Sequence, residues 1–274
     1  MRHAFILAAF LFTASAVQAD DSAGEKIQLP AKERPVQVTL FRAPGTAPRA
    51  SVLMLHGAGG FERQSVDYSR YAAAVAKSGF DAYLVYYRSE DDMKRLAAGE
   101  NVFEARIGDW AKLVDDVADY LKAQTNSSGK VALIGFSDGG TIATGAAAQD
   151  TSITAAVVYY GTDAQNFGIE EKRFPPMLLL HGQDDTTITW MNSELLAQHV
   201  KGSAAPVEFV LYPGEKHGFG ANTTTKHGAD ALRRTLAFLH QRLDHKQPGS
   251  RLPAQILVGD RWRTKRWRAR QKQH

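Results

Sequence analysis

VALIGFSDGGTIATGAAA runs from Val131 to Ala148. It starts as an unbroken apolar run, turns at Ser137 between Gly135 and Gly139, and continues as a string of small residues. A buried strand turning sharply into a small-residue helix reads this way, because glycines let strand and helix approach where a side chain would collide. Such a turn lifts the serine hydroxyl clear of the sheet, where a nucleophile has to stand. A plain strand-to-helix turn with serine as the helix N-cap uses the same residues. The choice between the two rests on partners elsewhere in the chain.

Six other apolar runs flank this one: VQVTLFRA from Val36, SVLMLHG from Ser51, FDAYLVYY from Phe80, ITAAVVYYG from Ile153, PMLLLHG from Pro176 and VEFVLYPG from Val207. Continuous rather than alternating apolarity predicts strands covered on both faces, an arrangement typical of parallel sheets. Between them Phe103, Ile107, Trp110, Val114, Val117 and Leu121 recur at steps of three and four, the spacing of an amphipathic helix. Weaker helical patterns cover residues 66–77, 190–200 and 229–243. Alternating strands and helices predict a doubly wound, mostly parallel α/β sheet with its site at the carboxyl ends of the strands. The charged connection from Arg88 to Asn101 reads as a solvated surface helix.

An elbow serine needs a histidine to take its proton and a carboxylate to hold that histidine's tautomer, in the chain order serine, acid, histidine. Asp184 and Asp185 follow PMLLLHG, and either fits as the acid. His217 lies on the exit loop of VEFVLYPG with glycines beside it. His56 and His181 each precede a glycine at a strand end and are expected to shape loops. An oxyanion hole takes one backbone N–H from the residue after the nucleophile, Asp138, and a second from an early strand loop. LHGAGGF, Leu55 to Phe61, is such a loop, and Ala58 or Gly59 would present that donor.

Rival chemistries fare worse. Glu62 occupies the last position of a would-be GxGxxG, and neither a GK[ST] loop nor HExxH occurs. His181 with Asp185 makes a poor metal set without a third ligand, so no metal and no cofactor are expected. The chain has no cysteine, which excludes thiolate catalysis and disulfides.

The ends of the 274-residue chain differ from its body. Residues 1–19 carry a basic start, an apolar run and a small-residue cleavage pattern, so an export signal is expected, with a periplasmic or secreted product. Residues 20–245 form the expected catalytic domain, and residues 246–274 read as a basic, disordered, solvated tail. Nine Lys or Arg against Asp260 give that tail +8, and Arg2 adds +1, so the net +4 leaves −5 on the body. RWRTKRWRARQKQH from Arg261 interleaves Trp262 and Trp267 with seven basic residues, a composition suited to weak contact with anionic surfaces.

LHGAGGF, IGFSDGG, VVYYG, LLLHGQDDTTIT and YPGEKHGFG, in this order, resemble the landmarks of the α/β-hydrolase superfamily and most of all its dienelactone hydrolase family, over Val36 to Leu243. The resemblance implies Asp185 as the acid, four residues after the histidine of HGxxD. It resembles serine-bearing relatives, since the family's type members carry cysteine where Ser137 stands. Family members hold a substrate carboxylate with arginine and glutamate. Arg88 after LVYY matches one such arginine, whereas Gly57 replaces the acidic residue. Gly59 and Arg88 are the expected substrate contacts.

The expectation is therefore an exported serine hydrolase that cleaves small carboxylic esters or lactones through an acyl-enzyme, with no nucleic acid partner. Ser137 attacks, His217 shuttles the proton, Asp185 orients it, and the N–H groups of Ala58 and Asp138 hold the oxyanion. Two alternatives stand beside it: a prolyl-oligopeptidase-like peptidase, and a non-catalytic envelope-binding protein that uses the basic tail.

Overall fold

A computed structural model describes residues 24–149, 152–170, 173–244 and 256–258. The expected export signal, and the tail apart from three residues, lie outside this set. The seven apolar runs all form strands. These are β2 (Val36–Phe41), β3 (Arg49–Leu55), β4 (Asp81–Val85), β5 (Ser127–Phe136), β6 (Ile153–Tyr159), β7 (Met177–Gly182) and β8 (Val207–Tyr212). Two strands join them at the edges, β1 (Glu25–Leu29) and β9 (Ile256–Val258). The sheet order is β1-β2-β4-β3-β5-β6-β7-β8-β9. β2 runs antiparallel to both β1 and β4, and every other pairing is parallel. β9 falls within the expected tail, 246–274, and its Ile256, Leu257 and Val258 pair in parallel with Phe209 to Leu211.

Helices α1 (Ser65–Lys77), α2 (Glu90–Ala97), α3 (Phe103–Lys122), α4 (Asp138–Gln149), α5 (Met191–Gly202) and α6 (Lys226–Leu243) cover the sheet. Side chains alternate across each strand, so β2 to β8 each feed two cores. Leu53, Leu55, Leu133, Val158 and Leu179 point into one core with Ile107 and Trp110 of α3, Ile142 of α4 and Leu196 of α5. Val52, Met54, Ile134, Val157 and Leu180 point into the other with Tyr71 and Val75 of α1 and Phe238 and Leu239 of α6. Burial on both faces explains why these runs do not alternate.

The solvated helix expected between Arg88 and Asn101 is α2, with one exception to its solvation. Ser89 caps it, accepting from Asp92 N while the Asp92 carboxylate accepts from Ser89 N. Asp92 is itself buried, because the Trp110 indole N–H donates to it at 3.1 Å and Arg106 pairs with it at 3.0 Å. The capping box thus also pins α2 to α3.

Candidate active site

Every residue singled out for chemistry sits just past the carboxyl end of a strand in the parallel part of the sheet. Ser137 follows β5, and its backbone takes φ +55°, the left-handed conformation that a non-glycine residue rarely adopts. The surroundings enforce it. Ser137 N donates to Tyr159 O at 3.0 Å, and Ser137 O accepts from Gly140 N and Thr141 N as α4 begins. Two neighbours have no room for a side chain: a Cβ on Gly135 would lie 2.1 Å from Gly139 O, and one on Gly139 2.4 Å from Leu55 O. The hydroxyl is left half-buried at the positive end of α4.

His217 lies on the loop after β8 with its Nε2 2.9 Å from Ser137 Oγ and its Nδ1 2.7 Å from Asp185 Oδ2. The carboxylate can only accept, so Nδ1 carries the proton and the Nε2 lone pair faces the serine hydroxyl. The ring of Tyr160 stands edge-to-face against the imidazole at 4.8 Å and limits its rotation.

Asp185, after β7, is fully buried and saturated. Oδ1 accepts from Thr187 N at 2.8 Å and Ile188 N at 3.0 Å, while Oδ2 faces His217 and, at 3.2 Å, His181 Nε2. His181 Nε2–H is shared with Ile188 O at 2.8 Å, which leaves Nδ1 to accept from the Ser193 hydroxyl at 2.7 Å. Burial holds this imidazole below the usual histidine range, keeping it neutral beside the acid. Asp184, its rival in the sequence, is exposed, and among the described residues only its backbone N–H is hydrogen-bonded, to Glu215 O.

The loop after β3 is held by its carbonyl groups. Tyr87 donates its hydroxyl to His56 O at 2.9 Å, Gly57 O accepts from Gly60 N and lies 2.8 Å from His56 Nδ1, and Arg88 donates to Ala58 O at 2.6 Å. A trans peptide points its N–H opposite to its carbonyl. Fixing Gly57 O on one side therefore turns the Ala58 N–H to the other, where it has no acceptor among the described residues. The Asp138 N–H is the first of α4, one of those a helix leaves without an intrahelical acceptor. His56, buried and stacked on Tyr87 at 4.1 Å, is pushed down to about 3 by desolvation, so it stays neutral. Both histidines expected to shape loops do so.

A cleft of about 250 Å³ opens over Ser137 and His217, walled by the 57–60 loop, Arg63, Tyr68 and Tyr160. Gly59 is among the residues that line it, and Arg88 is not. The Arg88 side chain is 5% exposed, with one terminal nitrogen spent on Ala58 O and the other on the Asp138 carboxylate at 3.1 Å. Sequence reading overlooked Tyr160, although VVYYG was in view, and passed over the contact between His181 and Asp185, although a spacing of four between them was visible.

Residues 37–243 match the dienelactone hydrolase family. A Yersinia pestis protein named "Putative carboxymethylenebutenolidase" is 26% identical over 201 residues, which cover 68% of this chain and 74% of that protein. The crystal structure of a dienelactone hydrolase from Anabaena variabilis superposes with a TM-score of 0.65 at 21% identity, covering 81% of this chain and 98% of that one. The propionate-bound esterase Est2 of Thermogutta terrifontis gives 0.62 at 18% identity, over 84% and 98%. At these identities the two structures speak for the fold. With a match over most of its length and a serine at the strand-to-helix elbow, the chain belongs to the dienelactone hydrolase family and is a serine carboxylic ester hydrolase of the α/β-hydrolase fold.

Proposed function

We propose that the enzyme hydrolyses small carboxylic esters or lactones through an acyl-enzyme on Ser137. The continuous relay from Ser137 Oγ through the His217 ring to Asp185 Oδ2, at 2.9 and 2.7 Å, carries this reading. Ser137 Oγ bonds to the carbonyl carbon as its proton passes to His217 Nε2, and Asp185 stabilises the imidazolium. The N–H groups of Asp138 and Ala58 take the oxyanion. Collapse of the tetrahedral adduct expels the alkoxide, which receives the proton from His217. Water, deprotonated by the same ring, then releases the acid and restores the serine.

The cleft supports a small substrate, since about 250 Å³ is below the range that encloses drug-sized ligands. Relatives named carboxymethylenebutenolidase, dienelactone hydrolase and esterase support an ester or lactone. Export is part of the proposal and rests on the sequence of residues 1–19; N-terminal sequencing of protein recovered from the periplasm or medium tests it. A fluorophosphonate probe followed by peptide mapping tests the chemistry. Label on Ser137, lost together with ester turnover in Ser137→Ala, is the expected result, and turnover that survives this substitution rejects the assignment.

A further inference from the structure

Both residues proposed to donate an N–H to the oxyanion are gripped, through other atoms, by one guanidinium. Arg88 holds Ala58 by its carbonyl at 2.6 Å and Asp138 by its carboxylate at 3.1 Å. The planar fork fixes the separation and direction of those two acceptors, which a flexible ammonium cannot do. Arg88 is in turn seated among aromatic rings, with its guanidinium carbon 5.5 Å from the Tyr87 ring centre and 5.7 Å from that of Trp110. Tyr87, its neighbour in the chain, holds His56 O in the same loop. The Arg88 Nε is buried with no acceptor among the described residues, so the side chain is committed to these two contacts despite an unmet donor.

We infer that Arg88 is a positioning residue that sets the distance between the 57–60 loop and the start of α4, and so aligns the two halves of the oxyanion hole. The inference rests on the proposed role of Ser137. The pairing has a second effect: the Asp138 carboxylate stands beside the site where negative charge develops, and the Arg88 cation compensates it. The family position that suggests substrate binding is thus used here to build the hole.

The test compares Arg88→Lys with the parent enzyme on a small ester and on a trifluoromethyl ketone analogue, whose tetrahedral adduct places an oxyanion in the hole. Loss of one oxyanion donor lowers kcat by about 10²–10³, and a misaligned pair of donors should cost about ten- to hundredfold. The expected outcome is a fall in kcat of that order with KM within about twofold of the parent, matched by an equal weakening of the analogue. Arg88→Ala should regain turnover severalfold when guanidinium is added at millimolar concentration. Arg88→Gln gives the same readout should lysine perturb folding, as judged by thermal melting. A folded variant with parental kcat and parental analogue affinity overturns the inference, and so does a loss confined to KM. Ser137→Ala separates the two levels: if it is inactive while Arg88→Lys is normal, only the positioning role falls, and if it is active, the reading beneath falls as well.

Discussion

A Cβ on Gly135 would lie 2.1 Å from the carbonyl oxygen of Gly139, so the last turn of β5 and the first turn of α4 touch backbone to backbone. No rotamer change relieves that contact, because both partners are main chain. Gly135→Ala has to push α4 away from the sheet and move the serine with it. The expected result is a loss of several kcal/mol in stability, on the scale of overpacking a filled core or more, together with loss of turnover in whatever folds. Chemical denaturation of the purified variant measures the first effect and ester turnover the second.

Gly108 offers the opposite case. It lies within α3, and a Cβ built there meets nothing within 4 Å. Glycine in a helix interior costs about 0.5–1 kcal/mol relative to alanine, through the freedom it has when unfolded. Gly108→Ala should therefore raise the denaturant midpoint by an amount corresponding to about 0.5–1 kcal/mol and leave kcat and KM unchanged.

Asp185 accepts two backbone N–H groups on one oxygen and faces two imidazoles with the other. An asparagine there has to turn its NH₂ either toward the backbone donors or toward the rings, so one set of hydrogen bonds fails in each orientation. With the amide toward the rings, His217 takes the wrong tautomer, a change that costs about 10⁴-fold in kcat in serine hydrolases. Asp185→Asn should approach that loss, whereas Asp184→Asn, at an exposed carboxylate, should stay within about twofold, the range expected of a surface change. Steady-state kinetics of the two variants decides between the adjacent acids.

These sites show which layers of the structure were legible in the sequence. β2 to β8 were legible because burial on both faces leaves an uninterrupted apolar run, and α3 because one buried stripe imposes helical spacing. β1 was not, since an edge strand of sequence EKIQL buries only Leu29. The order of serine, acid and histidine could be read because each follows a strand end. Asp92 and Arg88 escaped for a shared reason: a charged residue is legible as buried only when its partner is known. Trp110 reaches Asp92 from another helix, and the Asp138 carboxylate that engages Arg88 lies fifty residues further along the chain.

Buried neutral histidine gives the fold a definite response to acid. Desolvation lowers the His56 pKa from 6.5 to about 3. Between those values the unfolded chain binds a proton that the folded chain refuses, so stability falls as pH drops through this window and is unaffected by His56 above it. The slope contributed by one such group is about 1.4 kcal/mol per pH unit. His181, also lowered by burial, acts in the same direction. His56→Gln keeps a donor near Gly57 O and has no proton to bind. Urea denaturation at a series of pH values from 7 to 4 should show a shallower decline for this variant than for the parent, with the two curves diverging progressively below pH 6.5. Parallel curves would mean that the folded protein admits the proton at His56, and that the aromatic stack on Tyr87 opens before the sheet does.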